Sequence, residues 1–166
     1  MTCLFELSIA LLITLLNGFF VMAEYSLVRI RKSRLDELIR QGKSRANTVL
    51  KMSEKLDTYL SATQLGITAS SLLLGWFGGP LLAEMFRGMF GVSAGTWYDH
   101  SLVFACAFLI IVFLHVVFGE LVPRTIALGK VEQVAMAVAY PLVFFITFYI
   151  RWLCFLIESP MLYCAF

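Results

Sequence analysis

The stretch His115-Val-Val-Phe-Gly-Glu-Leu-Val-Pro-Arg-Thr125 closes a long apolar run with a glycine, a carboxylate and a proline together. Pro123 carries no N–H, so in a continuing helix the carbonyl of Gly119, four residues back, loses its donor. Gly119 has no side chain to shield that oxygen, and Glu120 sits directly beside it. At membrane depth a charged side chain costs about 2.5–3.5 kcal/mol on insertion scales and normally marks an ion or substrate path. An unsatisfied carbonyl is tolerated there only where protein or a water-filled cavity meets it. The segment therefore offers a backbone oxygen and an anionic oxygen side by side, the ligand types a hard cation takes. The competing reading is a helix that ends at the water interface with Glu120 solvated.

The rest of the chain makes membrane depth the right frame. Of 166 residues 60% are hydrophobic and only 14% charged, with a mean hydropathy of +0.86. That is too apolar for a soluble globule. The uncharged runs Leu7–Ala23, Thr58–Ala83 and Ser101–Gly119 are long enough to cross a hydrocarbon core of about 30 Å. An all-α integral membrane protein is expected. Nine of the thirteen Lys and Arg lie between Arg29 and Lys55. The positive-inside rule puts that loop in the cytoplasm, with the N-terminus and the Gly78–Asp99 connection outside. A basic stretch beside a span meets anionic lipid rather than nucleic acid. Cys3, Cys106, Cys154 and Cys164 have no metal spacing and imply no disulfide framework. The N-terminal run lacks a basic leader and a small-residue cleavage site, so it reads as a first span rather than a removable signal.

That first span carries Asn17-Gly18 at mid-membrane and Glu24 near its cytoplasmic end. Seven residues apart, Asn17 and Glu24 share a helix face that should turn toward protein. An interhelical hydrogen bond explains Asn17 equally well. Arg31–Thr58 reads as two short amphipathic helices lying on the membrane surface, joined by a turn at Gln41-Gly42. In the second span Ser61, Gln64, Thr68 and Ser71 form one polar stripe, while Ala62, Gly66, Ala69 and Ser70 supply small surfaces for close approach. Gly78-Gly-Pro80 is expected to end this span, with Leu81–Phe90 a separate short helix. With only His100 and His115, and no nucleophile elbow, a serine hydrolase is excluded. The last apolar stretch, Val134–Ile157, contains Pro141 and a central Arg151. Hydropathy favours its crossing, against an interfacial helix from which Arg151 snorkels.

Taken together, Leu16-Asn-Gly-Phe-Phe-Val-Met-Ala-Glu-Tyr-Ser-Leu27, Tyr59-Leu-Ser-Ala-Thr-Gln-Leu-Gly-Ile-Thr68 and Val117-Phe-Gly-Glu-Leu-Val-Pro-Arg124 resemble the transmembrane domain of the CorC/CNNM (cyclin M-like) family. The resemblance covers essentially the whole chain. It implies Mg²⁺ efflux across a bacterial inner membrane, with Na⁺ as candidate coupling ion. It also implies a homodimer of three-span subunits, with spans near 4–28, 58–77 and 100–120 and juxtamembrane helices near 32–56. A belt-like interfacial helix near 131–158 would then precede cytosolic CBS domains, reversing the hydropathy preference. On this likeness the C-terminus is cytoplasmic and the chain is the membrane domain of a longer protein.

The same likeness places a dehydrated Mg²⁺ between the spans on Asn17, Ser71, the Gly119 carbonyl and Glu120. Glu24, Gln64, Thr68, Ser70 and Pro123 take supporting places. Two departures stand out. Asn17 occupies a position that is often serine, and Gly66-Ile-Thr-Ala-Ser-Ser71 replaces a Gly-Asn-x-x-Val-Asn pattern, putting a shorter hydroxyl where others carry an amide. Some similar bacterial proteins are associated with polyamine efflux, for which Glu120 and Glu24 would serve as counter-charges and the Gln64 stripe as acceptors. A non-transport anchor and dimerisation module for a cytosolic sensor is the third reading. No nucleophile–base pair or cofactor motif points to an enzyme.

Overall fold

The computed structural model describes residues 2–90 and 97–157, with side chains described at 5, 7–78, 105, 106 and 108–148. Among the described residues every regular element is helical. They are α1 (Thr2–Arg29), α2 (Lys32–Arg40), α3 (Ser44–Glu54), α4 (Leu56–Phe90), α5 (Trp97–Leu114), a π-helical segment (His115–Leu121), α6 (Val122–Gly129) and α7 (Val131–Ile157). The chain folds as two compact units. The first comprises the described residues of Met1–Val21 and Thr63–Ile126, the second those of Met22–Ala62 and Ala127–Phe166.

Three described segments are long and apolar enough to cross a membrane: Leu7–Arg29, Phe108–Gly129 and Val131–Phe148. The Thr58–Ala83 run extends past the described side chains of α4, which end at 78. The expected break at Gly78-Gly-Pro80 is absent, and α4 continues to Phe90. A proline deletes one backbone bond, here to the Trp76 carbonyl, and a helix can carry that loss as a kink rather than a stop. The Arg151 side chain lies outside the described residues.

The first unit is built on small residues at helix crossings. A Cβ on Gly66 would stand 2.7 Å from the Phe20 ring, and one on Gly78 2.8 Å from Ile111 Cδ1. Without hydrophobic pressure between helices in lipid, such close approach is what gives packing its energy. Among the described residues, the buried α4 positions in this unit are Thr63, Gly66, Ser70, Leu74 and Gly78. The packing face is therefore the small-residue face, and Ala69, counted with it in the sequence, is exposed.

The second unit holds the two amphipathic helices, divided as expected at Gln41-Gly42, where Gly42 takes φ 81°. Leu35 and Leu38 of α2 and Ala46, Val49 and Met52 of α3 are buried. α3 packs on α7, whose inner face is Val134, Ala135, Val138, Ala139 and Leu142. Arg34 Nε donates to Glu132 Oε1 at 2.6 Å, joining α2 to the start of α7, and Arg45 lies over the Tyr140 ring at 5.6 Å. The Arg34–Glu132 pair is half-exposed, so it fixes geometry more than it adds stability.

Candidate cation site

The site grows from the missing N–H of Pro123. Rather than simply running past the proline, the chain from His115 to Leu121 widens into π-helix, and the Val122 N–H reaches back five residues to the Val117 carbonyl. Single π turns inside α-helices recur at functional sites because they redirect carbonyls and side chains. The Gly119 carbonyl, freed by Pro123, accepts a hydrogen bond from Asn17 Nδ2 at 2.9 Å. Gly18 makes this approach feasible: a Cβ there would stand 2.9 Å from Pro123 Cγ and 3.9 Å from the Gly119 oxygen.

Asn17 is only 1% exposed, and the bond to Gly119 settles its amide orientation. The other end, Oδ1, is buried with no hydrogen-bond partner. Leaving such an acceptor unpaired costs about 1–3 kcal/mol. Beside it stands His115, one α-helical turn before Gly119. A Cβ built on Gly119 would lie 3.0 Å from His115 Nδ1 and 3.1 Å from Asn17 Nδ2, so both side chains crowd its bare face. His115 Nδ1 is also buried and unpartnered. Ser71 completes the group, with Oγ 2.9 Å from the Ile67 carbonyl and 3.1 Å from His115 Nε2. On the apolar side a cavity of about 370 Å³, lined in part by Leu11, Thr14, Leu74 and Ile111, borders the imidazole.

Of the residues singled out in the sequence, the structure brings together Asn17, Ser71, Gly119 and Pro123. Glu120 follows Gly119 within the π segment, with its side chain exposed. Ser70 is buried on α4. Gln64 and Thr68 are exposed, and Thr68 Oγ1 donates to the Gln64 backbone carbonyl at 2.9 Å. Glu24 belongs to the second unit, where it is half-buried on α1. His115 has no assigned role in the sequence reading, although its four-residue spacing from Gly119 puts both on one helical face. Among the described residues no cluster of three or more His, Cys, Asp or Glu is placed to hold a metal ion. The donors here are instead an amide, a carbonyl, a hydroxyl and an imidazole, with one carboxylate next in the chain.

Long apolar helices and a buried polar cluster within one helical unit define a multi-pass membrane protein. Residues 7–159 match the family model described as the cyclin M transmembrane N-terminal domain. The chain belongs to that family. It is 43% identical over 148 residues to UPF0053 protein YhdP of Bacillus subtilis (strain 168), covering 87% of this chain and 33% of that protein. It is 42% identical over 131 residues to UPF0053 protein YugS of the same organism, covering 78% and 30%. To the uncharacterized protein Rv1841c of Mycobacterium tuberculosis (strain ATCC 25618 / H37Rv) it is 41% identical over 133 residues, covering 80% and 38%. The chain spans about a third of the length of the curated relatives it matches.

Proposed function

We propose that this membrane domain carries a divalent cation, with Mg²⁺ as cargo, through the Asn17–Gly119 cluster. The observation that carries the reading is the Gly119 carbonyl, released from its helix by Pro123 and held at 2.9 Å by a buried amide whose own oxygen has no partner. A cation exchanges that hydrogen bond for ion–oxygen contacts: the Asn17 amide turns Oδ1 inward and the carbonyl becomes a second ligand. Glu120 supplies the anionic oxygen, Ser71 a hydroxyl, and water completes the octahedron that Mg²⁺ requires. Efflux, Na⁺ coupling, assembly as a homodimer in the bacterial inner membrane and control by cytosolic CBS domains belong to the same proposal. So does an outward N-terminus, which the basic stretch Arg29–Lys55 supports.

The test is Mg²⁺ flux in proteoliposomes with an entrapped indicator. Wild-type protein should move Mg²⁺ and Glu120→Gln should not. Flux that survives the substitution removes Glu120 from the path. A wild type that moves no Mg²⁺, and binds none, leaves the domain an anchor.

A further inference from the structure

We infer that the cleft between the α2–α3 turn and the start of α7 binds one anionic phospholipid, its phosphate held by Lys43 and Arg45 and an acyl chain laid along α7. All the residues involved belong to the second compact unit, and the inference is independent of the cation site.

The cleft has a volume of about 490 Å³, with Lys43, Ser44 and Arg45 on one wall and Gln133, Met136 and Ala137 on the other. Gly42, at φ 81°, turns the chain here, so Lys43 and Arg45 enter α3 together. Lys43 takes the N-cap, where an acceptor side chain is usual, and no acid stands in the first turn. The positive end of the helix dipole therefore adds to the two cations instead of being offset. The Glu132 carboxylate is within electrostatic reach of Lys43, but Arg34 already binds it. Among the described residues neither Lys43 nor Arg45 forms an ion pair. The wall of the cleft is left with two positive charges and no anion.

The opposite wall decides which kind of anion fits. Gln133, Ala137, Tyr140, Phe144 and Phe148 recur every three or four residues, so they share one face of α7. That face is open: Tyr140 is 51% exposed, Phe144 75% and Phe148 65%. The Arg45 guanidinium lies over the Tyr140 ring at 5.6 Å, so the basic cleft and the aromatic stripe meet at one side chain. A free phosphate or an acidic peptide would use the cations and leave the stripe bare. A phospholipid uses both, with Ser44 and Gln133 offering a hydroxyl and an amide to its phosphate and glycerol oxygens. Basic pockets at the cytoplasmic ends of membrane helices take lipid headgroups in this way. Diffuse attraction of a basic loop to a charged surface needs no cleft, whereas this one joins the α2–α3 turn to α7 through a single lipid.

The experiment titrates the purified chain in neutral detergent with phosphatidylglycerol and follows its unfolding temperature. Two double variants run alongside: Lys43→Gln with Arg45→Gln, and Lys32→Gln with Lys51→Gln, which removes the same charge at exposed positions off the cleft. Phosphatidylglycerol should stabilise the wild type and the Lys32/Lys51 variant. The Lys43/Arg45 variant should bind it roughly ten- to thirtyfold more weakly, the worth of two cations beside a headgroup. Equal weakening in both variants means diffuse attraction and overturns the site. Equal stabilisation by inorganic phosphate or glycerophosphoglycerol, which carry the anion without the chains, overturns the lipid as occupant. Native mass spectrometry of the wild type, which needs no variant, should show phosphatidylglycerol retained in preference to phosphatidylcholine. Absence of that preference overturns the inference as well.

Discussion

The Asn17 amide donates to the Gly119 carbonyl across 102 residues of chain, at 2.9 Å and out of solvent. Through it the middle of α1 is tied to the turn where the π segment meets Pro123. Asn17→Leu keeps the bulk and removes the donor, leaving a buried carbonyl unpaired at a cost of about 1–3 kcal/mol. The variant should unfold at a lower temperature in detergent and lose any Mg²⁺-dependent rise in melting temperature. An unchanged melting curve would mean the bond contributes nothing.

Glu120→Gln preserves shape and one acceptor oxygen while removing the only negative charge assigned to the inner shell. In a low-dielectric bundle the lost Coulomb attraction amounts to several kcal/mol even at an effective dielectric of about 20. Mg²⁺ affinity should fall roughly a thousandfold. Glu24→Gln, on the other compact unit, should be milder. Magnesium-dependent thermal stabilisation of the three proteins measures the difference. A requirement for both carboxylates would favour a longer polyamine cargo.

Gly18→Ala drives a methyl to 2.9 Å from Pro123 Cγ and should destabilise by roughly 1–3 kcal/mol, the usual range for overpacking. Gly75→Ala meets nothing within 4 Å and should be neutral or gain about 0.5–1 kcal/mol from helix propensity. Thermal unfolding of the pair separates a packed crossing from a general intolerance of change.

A cysteine introduced at Lys43 in a cysteine-free background should be labelled only from the cytoplasmic side of sealed vesicles. Outside labelling in right-side-out vesicles would invert the orientation drawn from the basic residues.

A reporter fused after Phe166 should be active only in the cytoplasm if α7 lies in the interface. Since Val131–Phe148 is long and apolar enough to cross, the fusion decides between composition and family likeness. External activity would make α7 a full span.

Much of the fold was legible because it depends on pattern alone. Leu35 and Leu38 against charged neighbours, then Gly42, dictate two amphipathic helices and their turn. The bare carbonyl at Gly119 follows from Pro123 by covalent geometry. What failed depends on which face packs. Of the stripe Ser61, Gln64, Thr68 and Ser71 on α4, Ser71 reaches His115, while Thr63, Gly66 and Ser70 are buried beside it and Phe20 fills the space Gly66 leaves. A polar stripe shows where hydroxyls are, while close approach follows missing side-chain volume. His115 was unreadable for a related reason. One histidine in an apolar helix acquires meaning only once Ser71 is found 3.1 Å from its ring.

The π segment has a mechanical corollary. Seven residues, His115–Leu121, are wound with a surplus that an α-helix of the same rise would not hold. Shifting that surplus by one position turns the residue it passes by about 100°, the angular step of an α-helix. The Gly119 oxygen can thereby be swung toward or away from Asn17 while α5 and α6 stay helical. The helix carries its own slack beside the carbonyl proposed to hold the cation.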